Sequence, residues 1–139
     1  MFKALLTGLA AIAAATAVHA QDASKSPAGA KVTILEPANG ATVSSPVTVK
    51  FGITGMELSP AGTEKAGSGH HHLLIDTKLA DPKAGIPADA NNKHFGKAQT
   101  EASVELTPGT HTLQLVLGDH NHIPHDPVVQ SEVITITVK

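Results

Sequence analysis

Six of the nine histidines in this chain lie in two short windows, 69-GHHHLLID-76 and 118-GDHNHIPHDP-127. The six are His70, His71, His72, His120, His122 and His125. Neutral imidazole is the commonest metal ligand in proteins, and the borderline divalent ions Zn(II) and Cu(II) favour it. If the two windows meet in the fold, we expect them to form a site for one of these ions, Cu(II) or Zn(II).

Other polar residues extend this candidate site. Asp119 and Asp126 flank the second window and are available as ligands or as acceptors for the ring N–H groups of metal-bound histidines. His94, in 94-HFGKAQTE-101, is either a further ligand that folds back or an ordinary loop residue. His111 begins a separate segment and is more typical of a structural histidine.

The clustering has two other interpretations. Histidines at the end of a sheet can hydrogen-bond to backbone carbonyl groups and connect loops, which would make a structural cluster without metal. They can also line a small-ligand or catalytic pocket. A serine-nucleophile enzyme is disfavoured, because Ser68 does not lie in a Gly-x-Ser-x-Gly pattern.

The composition excludes several kinds of site. The chain has no cysteine, which removes thiolate metal sites, thiol nucleophiles and redox pairs. Met56 is the only methionine after Met1, so copper(I) sites built on sulfur are disfavoured. The ten basic residues are all lysine and are outnumbered by twelve acidic residues. A mildly acidic chain without arginine and with few aromatic residues is a poor nucleic-acid binder.

The first twenty residues have the layout of a secretory signal peptide. Lys3 precedes a short, alanine-rich apolar run, and the segment ends in Val18-His19-Ala20. We expect cleavage after Ala20, which removes His19 together with the signal. The run is short for a membrane anchor and no basic stop follows it. We therefore expect no membrane insertion of the mature chain.

Residues 21–30 are small and polar and are predicted to be a flexible leader. Residues 31–139 show apolar alternations of period two separated by turn residues, and no helical period. Residues 78–100 are irregular. The predicted strands are 31–36, 46–54, 70–76, 101–106, 110–118 and 128–138. This pattern is typical of an all-β fold, a small antiparallel immunoglobulin-like β-sandwich of about seven strands in one domain.

In such a sandwich the strands at 70–76 and 110–118 are antiparallel neighbours, which brings the two histidine windows together. Leu73 and Ile75 make the better core face of the first strand, which directs His71 to the core and His70 and His72 outward. The opposite parity would instead place His71 among the outward histidines. Along the second strand alternation directs Asp119 inward and His120 outward. The favoured ligands are His70, His72, His120 and His122. The alternates are His71, His94 and His125, with Asp119 as an acceptor behind the ligands.

Three blocks, GHHHLLID, HFGKAQTE and PGTHTLQLVLGDHNHIPHDP, resemble those of a family of short exported bacterial proteins, domain-of-unknown-function family 4399. The resemblance covers residues 65–139 strongly and residues 32–54 more loosely. One departure is Ala98, where we expect a second glycine after Gly96-Lys97. The resemblance implies a periplasmic or otherwise exported single domain and implies no activity. It draws attention to His94, because HFGK is one of the blocks.

The sequence therefore predicts an exported, periplasmic, histidine-rich metal-binding protein that carries Cu(II) or Zn(II), buffers it or confers tolerance to it. The alternative is a non-catalytic interaction module whose histidine cluster is structural and holds no metal. A metalloenzyme similar to copper–zinc superoxide dismutase is a third class, supported by fold analogy alone. The chain has neither a guiding arginine nor a cysteine pair, so we lean against an enzyme. The sequence identifies no protein partner.

Overall fold

The computed structural model describes residues 24–139. The signal peptide predicted for residues 1–20 and the start of the predicted leader lie outside the described residues. The described residues form nine strands and no helix. The strands are β1 (Lys31–Glu36), β2 (Thr42–Val43), β3 (Val47–Thr54), β4 (Glu57–Leu58), β5 (Ser68–Ile75), β6 (Asn92–Phe95), β7 (Glu101–Val104), β8 (Gly109–Gly118) and β9 (Ile134–Val138).

β1, β3 and β7 form a three-stranded antiparallel sheet with β3 in the centre. The alternation of β3 explains why it forms a half-buried strand. Val47, Val49 and Phe51 are buried on one face, whereas Thr48 between them is exposed.

The remaining strands form a six-stranded sheet in the order β2-β9-β8-β5-β4, with β6 also paired to β5. The pairs β5–β8, β8–β9 and β5–β6 are antiparallel, and the short pairs β2–β9 and β4–β5 are parallel. β5 therefore has β8 on one side and β4 and β6 on the other. All eight of its residues are buried.

Apolar side chains from both sheets enclose one core. Phe51 of the small sheet packs in the same cluster as Leu73, Leu115 and Ile136 of the large sheet. A second cluster covers the opposite face of the large sheet, where Leu74 and Val116 pack with Ile86. Because β5 is covered on both faces, its residues are buried without interruption and do not alternate between buried and exposed positions.

The structure confirms the all-β class, with two sheets and mostly antiparallel pairing. β1 has the predicted bounds, but β9 begins at Ile134 and not at residue 128. There are nine strands in the described part of the chain rather than about seven. The difference arises because β2 and β4 have two residues each and β6 lies in the segment without a clear period.

The described part of the predicted leader lies against the loop that follows β8. Ser24 Oγ donates to Asp119 Oδ2 at 2.6 Å. The backbone N–H of Ser26 donates to the carbonyl of Asp126 at 3.1 Å, and the N–H of Asp126 donates to the carbonyl of Ser24 at 2.7 Å. From Ser24 onward the leader is therefore hydrogen-bonded to the second histidine window.

Candidate metal centre

β5 places its histidines on opposite faces of the large sheet, as the alternation of a strand requires. His71 faces the core, where its ring lies 4.9 Å from that of Phe51, centroid to centroid. His70 and His72 share the other face, and their Nε2 atoms are 3.0 Å apart. This agrees with the orientation expected from Leu73 and its neighbours.

The pairing of β5 with β8 brings the second window to the first, because His70 lies opposite Gly118. Beyond Gly118 the chain turns, and the N–H of His122 donates to the carbonyl of Asp119 at 2.9 Å. His122 has a φ of 64°, in the left-handed region that non-glycine residues seldom adopt. Its Nδ1 lies 3.0 Å from Nε2 of His70.

A third element contributes His94. β6 pairs with β5 on the side away from β8, and His94 lies directly opposite His72. Directly opposed residues of an antiparallel pair point to the same face of the sheet. The ring of His94 therefore joins those of His70 and His72, and its Nε2 is 3.2 Å from Nε2 of His70.

Four ring nitrogens thus converge, one each from His70, His72, His94 and His122, all within 4.8 Å of one another. Nε2 of His70 has the other three at 3.0, 3.0 and 3.2 Å. In a tetrahedral zinc site, Zn–N bonds of about 2.0–2.1 Å place the ligand nitrogens about 3.3–3.4 Å apart. The three distances from Nε2 of His70 are slightly shorter than this spacing, and all pairs lie within 4.8 Å, so small ring movements would let the four nitrogens bind one ion.

Hydrogen bonding among neutral imidazoles does not account for all of these contacts. A ring nitrogen of neutral imidazole carries either one hydrogen or one lone pair. Nε2 of His70 can therefore complete one well-directed hydrogen bond, and not three. A cation among the four nitrogens would attract four lone pairs at once, so this group of histidines could hold a metal ion.

Burial keeps these imidazoles in the form that binds metals. Desolvation lowers the pKa of His70 to about 4 and that of His72 to about 3, and the neighbouring imidazoles act in the same direction. Desolvation also lowers the pKa of His94, with a further contribution from His122. Only the neutral ring has a free lone pair, so protons compete little with a metal at these rings near pH 7.

Residues 49–139 match the family described as Domain of unknown function (DUF4399). The chain belongs to this family. The match contains all four converging histidines and begins within β3, so β1 lies outside it. Neither a curated protein nor a solved structure matches the chain. Within residues 24–139 there is no apolar helix of the length that a bilayer crossing needs.

In this DUF4399 chain, Asp119 holds the loop that carries His122. Its Oδ1 accepts from the N–H groups of Asn121 and Ile123 at 2.8 and 3.0 Å, and its Oδ2 accepts from Ser24. Burial alone would raise the pKa of Asp119, but these hydrogen bonds lower it below its usual value. The carboxylate is therefore used by the loop. No ring N–H of the four histidines is among its hydrogen-bond partners in the described residues.

Two glycines leave room for two of the rings. A Cβ atom on Gly118 would lie 2.8 Å from Nε2 of His72. A Cβ atom on Gly96 would likewise lie 2.8 Å from Nε2 of His94. Real Cβ atoms do not approach other atoms so closely, so the imidazoles occupy space that any other residue would fill.

Two of the histidines predicted as ligands or alternates, His71 and His120, lie outside the group of four. Neither ring nitrogen of His71 has a hydrogen-bond partner among the described residues. Nε2 of His120 lies 3.0 Å from Nδ2 of Asn121 and 4.0 Å from the carboxylate of Glu64. The fourth member of the group is therefore His94, and not His120 as we favoured from the sequence.

His125, another alternate, also lies outside the group and connects two strands. Its Nε2–H donates to the carbonyl of Ser68 at 3.0 Å, and its Nδ1 lies 3.4 Å from the carbonyl of Leu117. These contacts join the start of β5 to the end of β8. His125 therefore has the carbonyl-bonding arrangement of a structural histidine.

One feature of the sequence, the apolar Phe95, favours His94 as one of the main ligands and not only as an alternate. Phe95 packs against the core, with its ring 5.2 Å from that of Phe51. In a strand, the residue before a core residue faces the other side of the sheet. If residues 93–95 had been read as a strand, His94 would have been placed on the face that carries His70.

Proposed function

We propose that this protein is an exported metal-binding protein that holds one Cu(II) or Zn(II) ion and serves to carry it, buffer it or give tolerance to it. The proposed ligands are His70, His72, His94 and His122. One observation carries the proposal. Three ring nitrogens lie 3.0–3.2 Å from Nε2 of His70, and neutral imidazoles cannot all hydrogen-bond to one atom.

The donor set supports a borderline divalent ion. Four imidazole nitrogens suit Zn(II) and Cu(II), whereas Mg(II) and Ca(II) require mostly oxygen ligands. The chain has no cysteine, and Met56, the only methionine among the described residues, packs against the core, so no sulfur ligand among these residues favours Cu(I).

The exported, periplasmic location belongs to this proposal and rests on the amino-acid sequence. The charged start, apolar run and small-residue end of residues 1–20 support it. We also propose that the two sheets form an immunoglobulin-like sandwich. The support for this is one core shared by both sheets, with β5 and β8 as antiparallel neighbours.

A second candidate function is an interaction module with a metal-free histidine cluster. One observation favours it. Nδ1 of His70 and Nδ1 of His72 are buried and have no partner in the described part of the chain. Metal-bound histidines usually donate the second ring N–H to a carboxylate, carbonyl or water. In this alternative the rings hydrogen-bond pairwise, and the rim binds a protein or a cell-wall component.

The deciding experiment measures metal content and affinity on protein without a histidine tag. The purified protein is stripped with chelator and titrated with Zn(II) and with Cu(II) by calorimetry. We expect one ion per chain with submicromolar affinity. We expect His72→Ala to abolish this binding, because His72 is 1% exposed and no solvent ligand can easily replace it.

His120→Ala is the matched control, because it removes an imidazole from the same loop as His122 but not from the group of four. It should bind one ion with nearly unchanged affinity. If wild-type protein takes up neither ion, or if His72→Ala and His120→Ala bind equally well, the metal proposal is wrong and the interaction module becomes the better account.

A further inference from the structure

The four proposed ligands differ in how firmly the fold holds them. His70 and His72 are 0% and 1% exposed and lie on β5, whose eight residues are all buried. β5 is hydrogen-bonded on both sides, to β8 and to β4 and β6. These two rings are therefore enclosed by neighbouring atoms and have no solvent-filled space into which they can turn away from the cluster.

His122 is held by its loop. Its N–H donates to the carbonyl of Asp119, and its own carbonyl accepts from the N–H of Ile86 at 2.7 Å. The carboxylate of Asp119 fixes the N–H groups on either side of His122, those of Asn121 and Ile123. His122 is only partly exposed, so its backbone and ring are both constrained.

His94 is the exception, because its side chain is exposed and lies on β6, a four-residue edge strand. Within residues 24–139 β6 pairs only with β5. Short edge elements with few buried contacts open at low free-energy cost. The ring also lies directly over Gly96, which has no side chain to hold it in place. His94 can therefore rotate toward solvent while the other three ligands stay.

We propose that His94 is the exchangeable ligand, through which the ion enters the site and leaves it for an acceptor that offers nitrogen or oxygen donors. The bond between the ion and Nε2 of His94 breaks, and the lone pair of the acceptor forms the replacing bond. The imidazole leaves neutral and the oxidation state of the ion does not change. His70, His72 and His122 hold the ion during the exchange. This inference rests on the proposed function.

The test follows transfer of Zn(II) from the loaded protein to a chromophoric chelator in excess. If His94 must leave before the chelator attacks, the wild-type rate rises with chelator concentration and then levels off at the rate of His94 release. In His94→Ala this step no longer exists, so the rate continues to rise. In His120→Ala, which keeps all four proposed ligands, the plateau should remain because His94 must still leave.

A pair of glycine substitutions provides a matched comparison without removing a ligand. Gly96→Ala places a methyl group against Nε2 of the exposed His94 ring, which can move into solvent, so it should abolish the plateau as His94→Ala does. Gly118→Ala places the same group against the buried His72 ring, which has no room to move. It should weaken equilibrium binding as His72→Ala does.

Equilibrium titrations accompany the kinetics. We expect His94→Ala to keep one ion per chain with affinity reduced about 100-fold, roughly one ligand's contribution in a four-ligand zinc site. His72→Ala should lose more affinity than this, until binding is no longer detected. A plateau that persists in His94→Ala, or equal losses in His94→Ala and His72→Ala, would overturn the inference while leaving the proposed function intact. Failure of wild-type protein to bind one ion would overturn both.

Discussion

At the scale of single residues, His71 is a polar side chain buried in the apolar core without a hydrogen-bond partner among the described residues. It is 1% exposed, and neither of its ring nitrogens has a partner among the described residues. Desolvation lowers its pKa to about 4, so the ring is neutral at pH 7. An unpaired polar group in a core costs about 1–3 kcal/mol.

We therefore expect His71→Leu to raise the free energy of unfolding by about 1–3 kcal/mol, because it replaces an unpaired imidazole with an apolar side chain of similar size. Urea denaturation at pH 7 measures the change. Metal affinity should not change, since His71 is not in the group of four. A lower unfolding free energy for the variant would show that the ring of His71 makes a stabilising interaction that leucine cannot replace.

His125 should behave in the opposite way, because its ring is buried and hydrogen-bonded to the carbonyl of Ser68. His125→Ala leaves a cavity and an unpaired carbonyl group, so we expect a loss of about 2–4 kcal/mol in unfolding free energy. The variant should still bind one ion per chain in a calorimetric titration under conditions in which it is folded. Complete loss of binding by folded His125→Ala would instead make His125 part of the site.

At the scale of strands, the sequence predicted the structure correctly where the apolar residues alternate clearly with a period of two. Alternation predicted β1, and together with the sandwich order it predicted that β5 and β8 are antiparallel neighbours. It also placed His71 in the core. The prediction was less successful beyond the ends of strands. Past Gly118 the chain turns and His122 adopts a left-handed φ, so the alternation that favoured His120 no longer applies.

β6 shows a second reason why sequence alone fell short. It has four residues in a segment rich in proline and asparagine, and the apolar Phe95 is its one local signal, so its pairing with β5 depends mainly on tertiary contacts. This pairing, and not any property of residues 94–101 by themselves, brings His94 to the site. The place of such a short edge strand in the sheet follows only once its partner strand is known.

Another element-scale prediction concerns the far end of β5 and β8, away from the site. Nδ1 of His111 lies 2.6 Å from the carboxylate of Asp76, and Nε2 lies 2.7 Å from the carbonyl of Thr107. Both acceptors favour a doubly protonated ring. The hydrogen bond with Asp76 raises the pKa of His111. Burial alone would raise the pKa of Asp76, but its bond with His111 lowers it.

The sign of the pH dependence follows from these two directions. The contribution of His111 is fully present below its unfolded pKa of 6.5 and is lost as pH rises through the raised folded value. The contribution of Asp76 is present above its unfolded pKa of 3.8 and is lost as pH falls through the lowered folded value. The pair therefore stabilises the protein most between about pH 4 and 6.5.

We expect His111→Gln to lower the urea midpoint more at pH 5.5 than at pH 9. Comparing each variant with wild-type protein at the same pH cancels the titration of other groups. An equal difference at the two pH values would mean that the pair has no electrostatic role.

At the scale of the whole molecule, an ion at the proposed site would connect elements distant in sequence. His70 and His72 belong to β5, His94 to β6 and His122 to the loop after β8. β5 and β8 also supply Leu73 and Leu115 to the core shared with the small sheet. An ion that holds these elements together binds the folded chain and not the unfolded one, so its binding free energy is added to folding stability.

We expect added Zn(II) or Cu(II) to raise the Tm of the stripped protein progressively with metal concentration. At a free concentration 100 times Kd the gain is about 2.7 kcal/mol, which corresponds to a rise of about 10 °C in Tm for a chain of this size. Scanning calorimetry of wild-type protein and His72→Ala measures the effect, with Mg(II) as a control ion. A wild-type Tm that does not respond, or one that rises equally in His72→Ala, would mean that the four imidazoles are not a site in the native state.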